Sequence, residues 1–333
     1  MKIYLAGDSI VQNYEKEEFI AGWGQFLPFF IKDGVKVVND AKGGRSSRLF
    51  INEGRFDNIE KNISAGDYLL IEFCHNDDAS KEYKTMFNRL TPLGEPDSDG
   101  RFPIIPGEAM PKDYIPPEYI DALRKDENVK DKQAVLDSVY KILESYPHDT
   151  YYPYSADGSK GTYLWFLKQF VDMAREKGAV PVFVTAPART VYDANGNIKD
   201  GAGLHGGNNF AYIRAMKQLG EEAKVPVIDL FAYSCGLYKQ IGKEKIHWIT
   251  SIKKGCNKGI WPDDFNSEMQ KKETVSEDTH FNKYGAMLIT QGLVKLIKES
   301  DSSQLDGLKG MLKNPDGIDI EKYVKKPLVF EEF

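Results

Sequence analysis

The sequence predicts an α/β fold in which helices cover both faces of one parallel β-sheet. Five short apolar runs are typical of buried strands: residues 2–7, 35–39, 67–73, 179–185 and 225–230. Segments with helical periodicity separate several of these runs, and strands that alternate with helices indicate a parallel sheet. Since crossover connections are right-handed, few strand orders are possible. We expect three layers, α/β/α, with the flavodoxin-like strand order 2-1-3-4-5.

Three of the predicted strands end in loops with polar residues or glycine. The first strand opens into a tight turn that carries Ser9, the second runs into a loop with Gly44, and the third is followed by Asn76. In open parallel sheets, ligands bind beyond the carboxyl ends of the strands, near the point where the strand order reverses. These three loops leave the sheet from those ends, so we expect them to converge there.

Helical periodicity and capping residues predict the helices. The predicted segments are residues 26–31, 55–63, 163–177, 208–223 and 282–298. Gly178 is a typical C-cap for the third of them. Asn282 is a typical N-cap for the last.

A long insertion separates the third strand from the third predicted helix. We expect a single domain over residues 1–333, with an insertion at about 79–162 and a C-terminal tail from about 300. The insertion is rich in proline and contains a helical segment at about 118–146. One interpretation is a lid or a sugar-stacking wall beside the site. The alternative is a packed excursion or an oligomer contact, and the oligomeric state itself is not predicted.

Composition and charge argue against several classes of partner. Lys+Arg is 44 and Asp+Glu is 50, so the net charge is −6, and no basic surplus favours nucleic acid or an anionic membrane. Cys74, Cys235 and Cys256 form no C-x-x-C pair, which argues against a disulfide framework and against a metal site. The apolar stretch before Gly7 is too short for a signal peptide, and no run approaches the ~18 apolar residues of a membrane span. We expect a cytoplasmic protein.

Ser9 and His280 are the candidates for nucleophilic catalysis. A serine hydroxyl becomes a good nucleophile only when a nearby base takes its proton, and the base is usually a histidine oriented by a carboxylate. Two acidic residues, Glu277 and Asp278, precede His280. An acid three residues ahead of a histidine can fold back and accept its Nδ1 proton. Taken alone, the same stretch is also compatible with a solvated acidic turn.

Acyl transfer also requires hydrogen-bond donors aimed at the developing oxyanion. The backbone N–H groups of Ser9 and Gly44 and the side-chain amide of Asn76 would supply three. A glycine at 44 would leave room for the substrate carbonyl. Each of these residues is also compatible with an ordinary turn, so the prediction depends on their combination.

Four blocks of the sequence resemble the SGNH (GDSL) hydrolase superfamily: Gly7-Asp8-Ser9, Gly44, Asn76-Asp77 and His280. Within it, the chain is most similar to the rhamnogalacturonan acetylesterases. The closer matches are Gly22-Trp23-Gly24-Gln25, Gly44-Arg45-Ser46-Ser47, His75-Asn76-Asp77, Thr279-His280-Phe281-Asn282 and Tyr284-Gly285-Ala286. The resemblance covers roughly residues 2–78 and 162–298 and implies an SGNH-type fold, a Ser-His-acid triad and no cofactor.

Two positions depart from the family pattern. The family usually has glycine two residues before the oxyanion asparagine, where this chain has Cys74. A small buried residue fits there if its backbone φ is negative. The family's triad acid is an aspartate three residues before the histidine, a position that Glu277 occupies here, and the adjacent Asp278 is the competing candidate.

Three further residues are candidates for contact with a sugar. Trp23 and Arg45 belong to the matched blocks, and His205 lies in a loop after the fourth predicted strand. Structural packing is an equally good interpretation of Trp23 and Arg45. Asp8 is expected to fix the turn that carries Ser9.

The predicted function is that of a serine esterase that removes acetyl groups from plant cell-wall oligosaccharides, of the pectic, rhamnogalacturonan type. The implied partner is an acetylated oligosaccharide substrate. One alternative is a lipid or long-acyl esterase of the same superfamily. A second alternative is a carbohydrate-binding relative that has lost catalysis, which the residues at 74 and 277 suggest.

Overall fold

A parallel β-sheet forms the centre of the fold. The computed structural model describes residues 1–15, 20–78, 87, 89–199, 210–252 and 276–324, and at 252, 276 and 277 it describes the backbone alone. The strands are β1 (Lys2–Gly7), β2 (Lys36–Asn39), β3 (Tyr68–Glu72), β4 (Met110–Pro111), β5 (Thr150–Tyr151), β6 (Val180–Val184), β7 (Val227–Ile228), β8 (Thr250–Ile252) and β9 (Ser276–Phe281).

The α-helices of the described part lie between and after these strands. They are α1 (Trp23–Phe26), α2 (Ser47–Asn52), α3 (Arg55–Asn62), α4 (Pro117–Lys125), α5 (Lys132–Ser145), α6 (Tyr163–Glu176), α7 (Ala211–Ala223), α8 (Leu230–Ile241), α9 (Lys283–Glu299) and α10 (Asp306–Met311). The predicted helix at 26–31 is instead α1 followed by a 3₁₀ turn over Leu27–Phe30, which contains Pro28.

The five-stranded parallel sheet has the order β2-β1-β3-β6-β7. When the five strands of this sheet are numbered in chain order, the order is 2-1-3-4-5. The predicted fold class and strand order are therefore confirmed. The fifth strand is shorter than predicted because Asp229 already caps α8, its side chain accepting the Ala232 N–H at 3.2 Å.

The chain divides into two compact units. The first comprises Met1–Gly43, Val184–Lys199 and Pro226–Phe333, and the second comprises Gly44–Phe183 and Asp200–Val225. The expectation of one domain with an insertion and a tail stays a prediction.

In the first unit, α9 packs against α1 and α8. Asn282 caps α9 as predicted, its side chain accepting the Gly285 N–H at 2.9 Å. Its amide also donates to the Trp248 carbonyl at 2.7 Å, so one buried residue both starts the helix and holds the segment before β8. Thr290 in α9 donates to the Trp23 carbonyl at 2.9 Å, which fixes α1 on the same helix.

In the second unit, the insertion has a hydrophobic core of its own. The predicted helical segment at 118–146 is two helices, α4 and α5, because Asp131 caps a new helix by accepting the Ala134 N–H at 2.9 Å. The buried residues of this core are Leu49, Phe87, Tyr119, Leu123, Val139, Leu143, Tyr146 and Tyr151. Leu49 belongs to α2, so the insertion packs onto that helix, which supports the packed-excursion interpretation.

Arg48 anchors the insertion from within the second unit. Its side chain is 1% exposed, and its guanidinium donates to the carbonyls of Phe87, Leu90 and Tyr152 at 2.8–3.0 Å. Burial lowers the pKa of Arg48, and the negative charge of Asp77 opposes that shift. The planar guanidinium has five N–H donors in a fixed geometry, which suits hydrogen bonds to three separate carbonyls.

Replacing Arg48 by alanine is expected to lower the free energy of unfolding by roughly 3–5 kcal/mol, because the carbonyls of Phe87, Leu90 and Tyr152 each lose hydrogen bonds from a buried, charged donor. The measurement is urea denaturation of the parent and the variant. Arg175→Ala is the matched control, since Arg175 also donates to two carbonyls, of Ala223 and Lys224, but is exposed. Its loss is expected to cost about 0.5 kcal/mol or less. Equal losses for the two variants would contradict the anchoring role.

Candidate active site

Asp8 shapes the turn that carries Ser9. Its carboxylate accepts the Ile10 N–H at 2.9 Å, and its carbonyl accepts the N–H groups of Val11 and Gln12 at 3.2 and 3.1 Å. Asp8 is 0% exposed and Ser9 is 8% exposed. The chain therefore leaves the buried end of β1 in a tight turn that presents the serine, and Asp8 fixes the turn as the sequence predicts.

Two residues that the sequence analysis did not select also hold the serine turn. The Tyr14 hydroxyl donates to the Ser9 carbonyl at 3.1 Å, and the Gln12 side-chain oxygen accepts the Gly43 N–H. Gly22 lies against the same turn so closely that a Cβ there would overlap the Gln12 carbonyl oxygen. No pattern in the sequence marks Gln12 or Tyr14, because their partners are chosen by the fold.

His280 reaches Ser9 from the other end of the chain. Its Nε2 lies 2.8 Å from Ser9 Oγ, although the two residues are 271 positions apart. The histidine stands in β9, which pairs antiparallel with β8. The Phe281 carbonyl accepts the Ala21 N–H at 2.9 Å, so β9 is also tied to the segment that follows the serine turn.

This contact has the geometry of an activated nucleophile. A serine and a histidine within hydrogen-bonding distance allow the ring nitrogen to take the hydroxyl proton as the serine attacks. Both residues lie in the first unit, so the pair is complete within one compact part of the chain.

The acid that would orient His280 is not assigned by the described side chains. The backbone of Glu277 lies in β9, but its side chain lies outside the described part. Asp278 is exposed, and its carboxylate accepts the Thr279 hydroxyl at 2.8 Å. Glu277 with Asp278 as the competing candidate therefore stays a prediction.

The other two predicted oxyanion donors lie in the second unit. Gly44 has a φ of +82°, a left-handed conformation that favours glycine. Asn76 is 8% exposed and lies in the turn after β3. Their part in an oxyanion hole stays a prediction.

Comparison with known proteins shows the family. No protein-family model matches the chain. Over 300 residues, the chain is 30% identical to rhamnogalacturonan acetylesterase RhgT of Bacillus subtilis, covering 90% of both proteins. The chain belongs to the SGNH/GDSL hydrolase superfamily. It is also 30% identical over 298 residues to the probable rhamnogalacturonan acetylesterase YesY of the same organism, covering 89% of this chain and 92% of YesY.

A solved structure agrees with this membership at the level of the fold. The crystal structure of YxiM from Bacillus subtilis aligns with a TM-score of 0.52 and 20% identity. The alignment covers 91% of this SGNH hydrolase and 57% of YxiM, so the chain spans little more than half the length of that neighbour. The predicted enzyme class, a carboxylic ester hydrolase, is confirmed by RhgT and YesY, the relatives named as acetylesterases.

The remaining predicted site residues have different outcomes. Trp23 is 0% exposed, which favours its packing interpretation over contact with a sugar. Arg45 is partly exposed and is bound through two of its nitrogens to Glu53, at 2.7 and 2.8 Å. Burial acts to raise the pKa of the Glu53 carboxyl. The hydrogen bonds from Arg45 and Arg55 outweigh this effect, so the pKa of Glu53 is lowered. His205 lies outside the described residues.

Cys74 meets the expectation for its position. It is buried, with 1% of its surface exposed. Among the described residues, the non-glycine positions with positive φ are Phe210 and Lys224, so Cys74 does not need the conformation that glycine permits.

None of the helices in the described ranges has the length and the apolar character needed to cross a lipid bilayer.

Proposed function

We propose that this SGNH hydrolase is a serine esterase that removes acetyl groups from plant cell-wall oligosaccharides of the pectic, rhamnogalacturonan type. The observation that carries the catalytic part is the 2.8 Å contact between His280 Nε2 and Ser9 Oγ. The substrate class is supported by RhgT and YesY, two relatives with acetylesterase names that are 30% identical to the chain over about nine-tenths of its length.

The reaction follows from the serine–histidine pair. His280 Nε2 takes the Ser9 hydroxyl proton while Ser9 Oγ attacks the carbonyl carbon of the acetyl ester. The tetrahedral intermediate collapses with cleavage of the bond to the sugar oxygen, and His280 gives its proton to that oxygen. His280 then activates a water molecule, which attacks the acetyl-serine and releases acetate. The steps use side chains, backbone amides and water.

Two further groups complete the proposed mechanism. The N–H groups of Ser9 and Gly44 and the amide of Asn76 would donate to the oxyanion, where preorganised donors stabilise developing charge. Glu277, or in its place Asp278, would accept the Nδ1 proton of His280 and support the imidazolium that forms. The residue identities and their match to the superfamily blocks support these roles.

Acetate release from a panel of acetylated oligosaccharides tests the proposal. We expect faster release from acetylated rhamnogalacturonan fragments than from acetylated xylan or chitin fragments, measured as kcat/KM. On chromogenic esters we expect strong preference for acetate over octanoate. The Ser9→Ala variant supplies the background rate.

Two results would contradict the proposal in different ways. Preference for octanoate would indicate a lipid or long-acyl esterase of the same superfamily. Binding of the oligosaccharides without release of acetate would indicate a carbohydrate-binding relative.

A further inference from the structure

One carboxylate joins the start of α2 to the loop after β3. Ser47, the first residue of α2, donates its N–H to the Asp77 carboxylate oxygens at 3.0 and 3.3 Å and its hydroxyl at 2.6 Å. Both residues are 0% exposed. A short hydrogen bond from a hydroxyl to a carboxylate is among the strong ones, and burial removes the competition of water. Separation of the two loops would leave this carboxylate buried with fewer donors.

The backbone of Asp77 has hydrogen-bond partners of its own. Its carbonyl accepts the Thr91 N–H at 3.1 Å and the Tyr212 hydroxyl at 3.3 Å. The same hydroxyl makes a close hydrogen bond to the Thr91 carbonyl. Burial raises the pKa of Tyr212 well above its ordinary value, so the phenol stays a neutral donor.

A buried positive charge accompanies the carboxylate. Arg48 follows Ser47 directly, and the negative charge of Asp77 acts to raise the pKa of its guanidinium against the larger effect of burial. The two opposite charges compensate each other in the interior. This arrangement makes the Asp77 carboxylate a stable anchor for the loop.

The anchored loop carries a predicted oxyanion donor. Asn76 directly precedes Asp77, and Gly44 lies three residues before Ser47. An oxyanion donor is effective only if it is held at about 2.7–3.1 Å from the position where charge develops. The contact between Ser47 and Asp77 therefore lies where it can fix the Asn76 turn on α2, beside the segment that carries Gly44.

We propose that Ser47 and Asp77 are positioning residues that hold the Asn76 amide for oxyanion stabilisation. The inference rests on the proposed function and adds to it the device that orients one donor. Both residues are fully buried and act through Asn76. Neither the superfamily blocks nor the comparisons assign this role.

A matched pair of serine variants tests the proposal. Ser47→Ala removes the hydroxyl bond to Asp77 and is expected to lower kcat by roughly 10-fold with little change in KM, since a displaced donor costs transition-state stabilisation. Ser46→Ala is the control, because Ser46 is also 0% exposed and accepts the Leu49 N–H at 3.1 Å as the cap of α2. Its loss is expected to lower the thermal unfolding temperature and leave kcat unchanged.

A double-mutant cycle with Asn76→Ala separates positioning from general stability. Asn76→Ala alone is expected to lower kcat by roughly 10²–10³-fold. If Ser47 acts through Asn76, Ser47→Ala should lower kcat no further in the Asn76→Ala background, whereas independent effects would multiply.

The outcomes are distinguishable. Full activity of Asn76→Ala would overturn the oxyanion role in the proposed function. If Asn76→Ala loses activity, two results would overturn the positioning role and leave the proposed function standing. One is that the kcat losses of Asn76→Ala and Ser47→Ala multiply in the double variant. The other is that Ser47→Ala alone leaves kcat unchanged. A fall in kcat for Ser46→Ala equal to that for Ser47→Ala would also overturn it.

Discussion

Replacing Ser9 by alanine is expected to lower kcat for acetyl-ester hydrolysis by roughly 10⁵–10⁶-fold, the loss typical when the nucleophile of a serine hydrolase is removed. The physical reason is that Ser9 Oγ is the atom placed 2.8 Å from His280 Nε2, and alanine offers no oxygen for attack. The measurement is acetate release under saturating substrate, together with covalent labelling by a fluorophosphonate probe. The variant should show no labelling.

Ser145→Ala provides the control for this experiment. Ser145 is an exposed residue of α5, and its hydroxyl donates to the Ile142 carbonyl at 2.6 Å. Its replacement is expected to leave kcat and labelling as in the parent. Retained turnover and labelling in Ser9→Ala would show that Ser9 is not the nucleophile.

Replacing Glu277 by glutamine is expected to lower kcat by roughly 10⁴-fold, the cost of exchanging a triad carboxylate for an amide. Glutamine keeps the shape of glutamate but removes the negative charge that supports the imidazolium. It can also present an NH₂ group to the ring nitrogen that should donate. The effect should fall on kcat, with KM changed little, because the charge of the ring develops in the transition state.

Asp278→Asn is the matched variant, because it removes one charge from the neighbouring residue of β9. The carboxylate of Asp278 accepts the Thr279 hydroxyl at 2.8 Å and the side chain is exposed, so we expect kcat to fall by a few-fold at most. The reverse pattern, a large loss in Asp278→Asn and a small one in Glu277→Gln, would assign the acid to Asp278.

The strand order could be predicted because its evidence is local. Short apolar runs separated by helical segments indicate parallel strands, and the handedness of crossovers restricts the order, which the observed β2-β1-β3-β6-β7 sheet confirms. The Asn282 cap of α9 could be predicted for the same reason, since the capping side chain and the N–H that donates to it lie within three residues.

The apolar pattern does not predict α2, α8 or α10, and tertiary contacts help to define where the first two begin. The six residues of α2 begin where Ser47 meets Asp77, and its Arg48 bonds to carbonyls of the insertion. The predicted fifth strand, residues 225–230, includes Leu230, the first residue of α8. There Asp229 accepts the Thr185 hydroxyl at 3.1 Å and caps the helix, a choice that the apolar pattern does not reveal.

Residue chemistry alone indicates candidate site residues, but it does not decide which of them contact the substrate and which pack in the interior. Trp23 was a candidate for contact with a sugar and is 0% exposed. Gln12 and Tyr14, which hold the serine turn, carried no signal. Their roles arise from loops that meet in space.

The sequence by itself determined the fold class, the strand order and the blocks that contain Ser9, Gly44, Asn76 and His280, because periodicity and residue type are local properties of the chain. Only the tertiary structure decided that His280 Nε2 lies 2.8 Å from Ser9 Oγ across 271 residues, and that the Asn76 turn is tied to α2 through Asp77. Such distances depend on how distant segments pack, and no local pattern encodes them.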